Sequence, residues 1–250
     1  MRWRVRSGFR GMIRREMLGL LGASAGLLAL PGCNAVLPER HSFRFRMTVE
    51  VDTPQGLRSG DSVMEMSGAA TTLALDGKTV DVRIICESVP VDMPGNQTLF
   101  MLVTGKGGAN IMSQVIIGFD SSYPQSEQLV ALLADLAQPA SIGRVGIMTP
   151  EKYHQYPTMV NFRDNYDPKT VELVDPNDLA KSFGKGVKLR RIFMTITDEP
   201  VTKRIKQRLP WLGPHAESRL DRDYKGGIAV RDATLSQLLS YGDFRRGTEK

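Results

Sequence analysis

Between residues 42 and 53 the side chains alternate in character without a break. Phe43, Phe45, Met47, Val49 and Val51 fall on one parity, and Arg44, Arg46, Thr48, Glu50 and Asp52 on the other. A period of two is that of a β-strand; in a helix the same residues would spread their apolar groups around the whole circumference. The segment is therefore expected as a strand with one face in a core and one in water, a pattern of antiparallel sheets rather than of parallel sheets buried on both faces.

Other segments fit the same kind of domain. Pro54-Gln55-Gly56 signals a turn, and a weaker strand over residues 61–67 is its expected hairpin partner. Asp76-Gly77 predicts a tight turn, after which Val80, Val82, Ile84 and Cys86 share a strand face. The apolar run TLFMLVT, residues 98–104, reads as a more central strand. The first clear helix is expected from a capping box at Ser122 and Gln125, with Pro124 in its first turn and Leu129, Leu132, Leu133 and Leu136 at i, i+3, i+4 and i+7, until Pro139 stops it. A shorter helix carries Asp175 as N-cap, Pro176 at its first position and Gly184 just past its end. Over residues 187–197 the apolar parity slips from Val187 and Leu189 to Ile192, Met194 and Ile196, predicting a bulge near Arg190-Arg191. Thr197 or Asp198 is expected to cap a helix bearing Val201, Ile205 and Leu209, stopped by Pro210, and a last helix falls near residues 233–239. Strands in runs with helices segregated between and after them give an α+β class, an antiparallel sheet with a few short helices. The 41% hydrophobic content of the 250 residues is sufficient for a core.

Ahead of this body stands a leader. Residues 1–15 are basic, residues 17–30 (MLGLLGASAGLLAL) are apolar, and Leu30-Pro31-Gly32-Cys33 follows. This is the order of a secretory signal, and the run of about 14 residues is short of the roughly 20 that span a bilayer. Leu30, Gly32 and Cys33 resemble the lipobox of bacterial lipoproteins, although Pro31 departs from the small or aliphatic residue usual before the Gly. The resemblance implies cleavage before Cys33 and a thioether-linked diacylglycerol on it, giving a signal peptide at 1–32, a tether at 33–41 and a single mature domain at 42–250, or two lobes split near 138–145. The alternative is cleavage after Ala35 and a soluble periplasmic protein. Arg14-Arg15 followed by Met17-Leu18 resembles a twin-arginine export signal, or else supplies only leader charge. Met12 is a second possible start.

The leader also accounts for most of the charge. Of the formal +6, residues 1–32 contribute six arginines against Glu16, so 27 of 33 basic and 26 of 27 acidic residues lie beyond it. A body at net +1 lacks the basic excess of a nucleic-acid-binding domain, so no nucleic-acid partner is expected.

Linear motifs for chemistry are sparse. Gly22-Ala23-Ser24-Ala25-Gly26 matches a nucleophile elbow but lies in the leader. Cys86 shares its parity with Val82 and Ile84 and reads as a buried thiol; with Cys33 lipidated it has no disulfide partner. His41, His154 and His215 occur singly, without metal spacing. Gly77-Lys78-Thr79 lacks the earlier glycine of a phosphate loop, and Gly105-Lys106-Gly107-Gly108 is a flexible loop. Residues 221–232 resemble an EF-hand loop but place Lys225 where an oxygen ligand is required. Neither cofactor nor metal is expected. The densest polar stretch is residues 162–170, in which Arg163, Asp164 and Asp167 form either an acid/base or anion-binding site or a turn with side chains bonded to its own backbone.

A further resemblance rests on Asn161-Phe162-Arg163-Asp164, residues 167–176, Phe183-Gly184-Lys185-Gly186-Val187, residues 197–202, Leu209-Pro210-Trp211-Leu212, and the opening segment 48–60. Together these resemble a group of uncharacterised bacterial proteins over most of the mature chain, which implies one coherent unit and carries no activity. The expectation is an envelope lipoprotein, its partners the membrane through its anchor and other envelope proteins, acting as a binding or accessory domain. The alternative is an envelope hydrolase with an acidic acid/base pair.

Overall fold

A computed structural model describes residues 39–71, 79–104, 111–122, 124, 126–148, 156–224 and 232–247. The leader and Cys33 lie outside the described residues. Two antiparallel sheets and a few short helices make up the fold, the α+β class expected.

The strands are β1 (His41–Thr53), β2 (Gly56–Thr71), β3 (Thr79–Glu87), β4 (Val89–Met93), β5 (Gln97–Met101), β6 (Val145–Met148), β7 (Met159–Phe162), β8 (Val171–Val174), β9 (Lys188–Thr197) and β10 (Arg245–Arg246). The larger sheet has the order β10-β3-β2-β1-β9-β6, the smaller β4-β5-β7-β8. The hairpin β1–β2 turns at Gly56, whose φ of +106° suits a residue without Cβ, and the Thr53 hydroxyl donates to the Gly56 carbonyl at 2.7 Å.

The apolar parity of β1 is realised, with Phe43, Phe45, Met47, Val49 and Val51 buried, but the opposite face is not all in water, since Thr48 and Glu50 are buried too. Each of the five apolar side chains contributes on the order of 1.5–3 kcal/mol of transfer free energy. They pack with Met64 and Met66 of β2 and with two helices, α1 (Ile111–Phe119) and α2 (Ser126–Leu136), through Val115, Ile116, Leu132, Leu133 and Leu136. The bulge is present: Glu50 faces Arg191 while Val51 faces Leu189, so Arg190 is the extra residue and the two parities of β9 both reach the core. A smaller core gathers Phe100, Phe162, Trp211, Tyr241 and Phe244 beside Leu209 and Leu212.

Several boundaries differ from expectation. The helix over 126–136 starts later than Ser122, because Ser122 donates both its N–H and its hydroxyl to Asp120 Oδ1 and belongs to a turn; Gln125 lies outside the described residues. An earlier helix, α1, was not legible. Asp175 accepts the N–H of Asn177 in a turn, so the short helix is a single turn, α3 (Ala180–Phe183), ended by Gly184 at φ +97°. Residues 198–204 are not helical: Thr202 exchanges two hydrogen bonds with the backbone of Val63, and only α4 (Ile205–Arg208) follows. The last helix is α5 (Leu235–Leu238), with a capping box at Thr234 and Gln237. The described residues belong to one compact unit. A cut at 138–145 would divide both sheets, since each takes strands from before and after it. No helix among the described residues is long and apolar enough to cross a membrane.

Candidate functional site

The sheets meet where β2 outruns its neighbour. β3 pairs with residues 65–71 of β2 and leaves 57–64 open on that side. At Ser88 the chain leaves β3 for β4, and Gly60 approaches so closely that a Cβ there would lie 1.9 Å from the Pro90 carbonyl oxygen. The segment leading into α4 covers the open edge through Thr202. Between these pieces lies a cleft of about 240 Å³, lined by Ser59 and Asp61 of β2, Glu87 and Ser88 at the β3–β4 passage, Asp92 of β4, and Thr202, Arg204, Gln207 and Arg208.

Two buried polar residues form its floor. Glu87 is 3% exposed, and its Oε2 accepts the N–H groups of Arg204 at 2.6 Å and Ile205 at 2.9 Å. Its Oε1 accepts no hydrogen bond among the described residues, and no cationic side chain among them lies within ion-pair distance. Burial therefore dominates and raises the carboxyl pKa, against the two N–H bonds and the field of Arg245, its cross-strand neighbour, and of Arg204. Ser88 is 1% exposed, and its N–H donates to the Phe244 carbonyl at 2.7 Å. Its hydroxyl is buried without a partner.

The walls are differently employed. Arg208 grips Asp92 through both carboxylate oxygens, at 2.5 and 2.9 Å, and holds its pKa below the usual range. Arg46 binds Asp61 and, with its other terminal nitrogen, Glu199. Arg204, exposed at the rim, has no carboxylate within ion-pair distance among the described residues.

The polar stretch singled out in the sequence is elsewhere and is a turn. Asp164 accepts the N–H of Tyr166 at 2.8 Å, Asp167 that of Lys169 at 2.9 Å, and the Thr170 hydroxyl bonds both aspartate carbonyls. Arg163 pairs with Glu172 on the surface, and Lys169 with Asp221 and Asp223, two acids of the EF-hand-like segment. Trp211 anchors the turn by donating to the Asn165 carbonyl at 2.8 Å. The structure thus brings Arg163, Asp164 and Asp167 together, with both aspartates bonded to their own turn.

Cys86 is buried and free, its thiol pKa pushed up to about 12 by desolvation. His41 lies near Glu39 and His215 near Glu217, while His154, residues 77–78, 105–108 and 225–231 lie outside the described residues. Among the described residues no group of three His, Cys, Asp or Glu is placed to hold a metal ion. A second, wider cleft of about 790 Å³ runs along β8, the terminal strand of the smaller sheet, beside the half-exposed Leu173, with no buried unpartnered polar atom in its lining. No family model, curated protein or solved structure matches the chain.

Glu87 escaped the sequence reading for a physical reason. It sits on the parity of Asp81 and Arg83, opposite Cys86, and so reads as solvated. It is buried by residues 204 and 205, 117 and 118 positions further along the chain.

Proposed function

We propose that the chain is an envelope lipoprotein, exported by residues 1–32 and tethered through Cys33, whose domain binds a small polar ligand in the cleft between its two sheets. The observation that carries this reading is the floor: a buried hydroxyl on Ser88 with no partner, next to a buried carboxylate on Glu87 with one oxygen unused. Buried polar groups are normally satisfied, and an unsatisfied one costs about 1–3 kcal/mol, which a bound ligand or water recovers.

A second reading, an acid/base hydrolase, draws on the raised proton affinity of Glu87 in a cleft. An acid/base pair needs a second uncommitted carboxylate, and Asp61 and Asp92 are both held by arginines. Binding is therefore the better supported.

The test is a thermal-shift panel of small sugars, polyols, amino acids and organic acids on the mature domain, with Ser59→Trp on the exposed rim to block the cleft. Stabilisation of wild type that is lost in Ser59→Trp is the expected result; stabilisation that survives in the blocked variant places binding elsewhere. Parallel turnover assays on peptidoglycan, phospholipid and ester substrates address the hydrolase. Activity that falls by a factor of about a hundred or more in folded Glu87→Gln, as for a lost general acid or base, replaces the binding reading.

A further inference from the structure

Resting on the binding reading above, we propose that the cleft's ligand is a small zwitterion, its ammonium group seated against Glu87 and Ser88 at the floor and its anionic group on Arg204 at the rim. Most charged groups of the lining are already spent on one another or on neighbours. Asp92 and Arg208 neutralise one another in a two-pronged pair. Asp61 is answered by Arg46 from the neighbouring strand β1. That leaves one anion, Glu87, and one cation, Arg204, uncommitted.

Their positions differ in a way that orders the ligand. Glu87 is buried and its Oε1 accepts no hydrogen bond among the described residues, while the adjoining Ser88 carries a buried hydroxyl without a partner, so the deep end holds two uncommitted polar groups. An ammonium has donors for both and neutralises a carboxylate that desolvation disfavours. Arg204 is exposed, and its planar fork suits a carboxylate or another oxyanion. Glu87 accepts the backbone N–H of Arg204 at 2.6 Å, so the span from its carboxylate to the Arg204 guanidinium is bounded by the reach of one arginine side chain, which suits a small ligand. The cleft's volume of about 240 Å³ agrees, being below the roughly 300–1,000 Å³ of pockets for drug-sized molecules.

Other ligand classes fit less well. A divalent ion needs several converging oxygens, and no three acidic or imidazole groups converge among the described residues. A simple anion would meet Glu87 at the floor, and a simple cation would leave Arg204 unused.

Isothermal titration of the mature domain tests the proposal with glycine, β-alanine and γ-aminobutyrate as zwitterions, n-butylammonium and butyrate as single charges, and Glu87→Gln, Arg204→Ala and Arg204→Lys as variants, each checked by thermal melt. At least one zwitterion should bind about tenfold or more tighter than either single-charge probe. Glu87→Gln and Arg204→Ala should each weaken it by about tenfold or more, and Arg204→Lys should restore part of the loss. Arg204 is exposed, so its variants carry the test even if Glu87→Gln does not fold. Butylammonium matching the zwitterions with Arg204→Ala silent, or butyrate binding best, overturns the proposal. If no charged probe binds while a neutral compound stabilises wild type and not Ser59→Trp, the zwitterion is wrong and the cleft reading stands. If nothing binds wild type, both fall.

Discussion

Glu87 holds its proton more tightly in the folded chain than in the unfolded one, because desolvation outweighs the two N–H bonds it accepts. Between its ordinary value of 4.5 and its raised folded value the native state therefore binds more protons. The stability that Glu87 contributes is complete below that interval and is lost as pH rises through it. Asp92, Glu50 and Asp221 have the opposite sign: Arg208, Arg191 and Lys169 lower their pKa values, and their contribution fades as pH falls. A bare pH profile mixes the two, whereas comparison with Glu87→Gln isolates one, since the amide oxygen can accept the same N–H groups. Urea unfolding from about pH 4 to about pH 8 should show the variant gaining on wild type as pH rises. A difference that stays flat would mean that the fold does not favour protonated Glu87, and the desolvated floor would have to be abandoned.

At the scale of elements, the crossing of the sheets depends on a glycine with an ordinary backbone. Gly60 is needed for space: any Cβ would meet the Pro90 carbonyl, and backbone cannot swing aside as a side-chain tip can. Gly60→Ala should lower stability by about 1–3 kcal/mol or more, as overpacking does, measured by urea midpoint; a loss below about 0.5 kcal/mol would show that the crossing yields. The sequence made β1, the β2 hairpin, β3 and the bulge in β9 legible because a long half-buried strand writes its face in every second residue. β4, β6, β7 and β8 are four or five residues long. Met159–Phe162 is buried throughout, so no alternation marks it, and in β6 the exposed residues are Val145 and Ile147. The helix signals at Ser122, Asp175 and Thr197 are turn chemistry as much as caps, and Asp175 caps a turn here. The cleft was illegible because its parts come from three distant segments, each unremarkable by itself.

At the scale of the molecule, β1 starts at His41, so an acyl anchor on Cys33 would hold the domain within about 28 Å of the bilayer at full extension. Metabolic labelling with a fatty acid should mark wild type and leave Cys33→Ala unmarked; equal labelling of both, or of neither, removes the tether from the proposed function.

The place of β9 beside β1 has a consequence for biogenesis. Glu50 and Arg191 are bonded across 141 residues of chain. A nascent polypeptide reaching only to β8 carries its longest hairpin with one hydrogen-bonding edge unanswered, and Ile192, Met194 and Ile196 are missing from the core. Contacts of such separation form slowly, since loop closure precedes their reward. Until β9 has been made and has paired, the larger sheet is therefore incomplete, and if residues 1–32 direct export the chain would meet that route in a state suited to passage as an unfolded polypeptide.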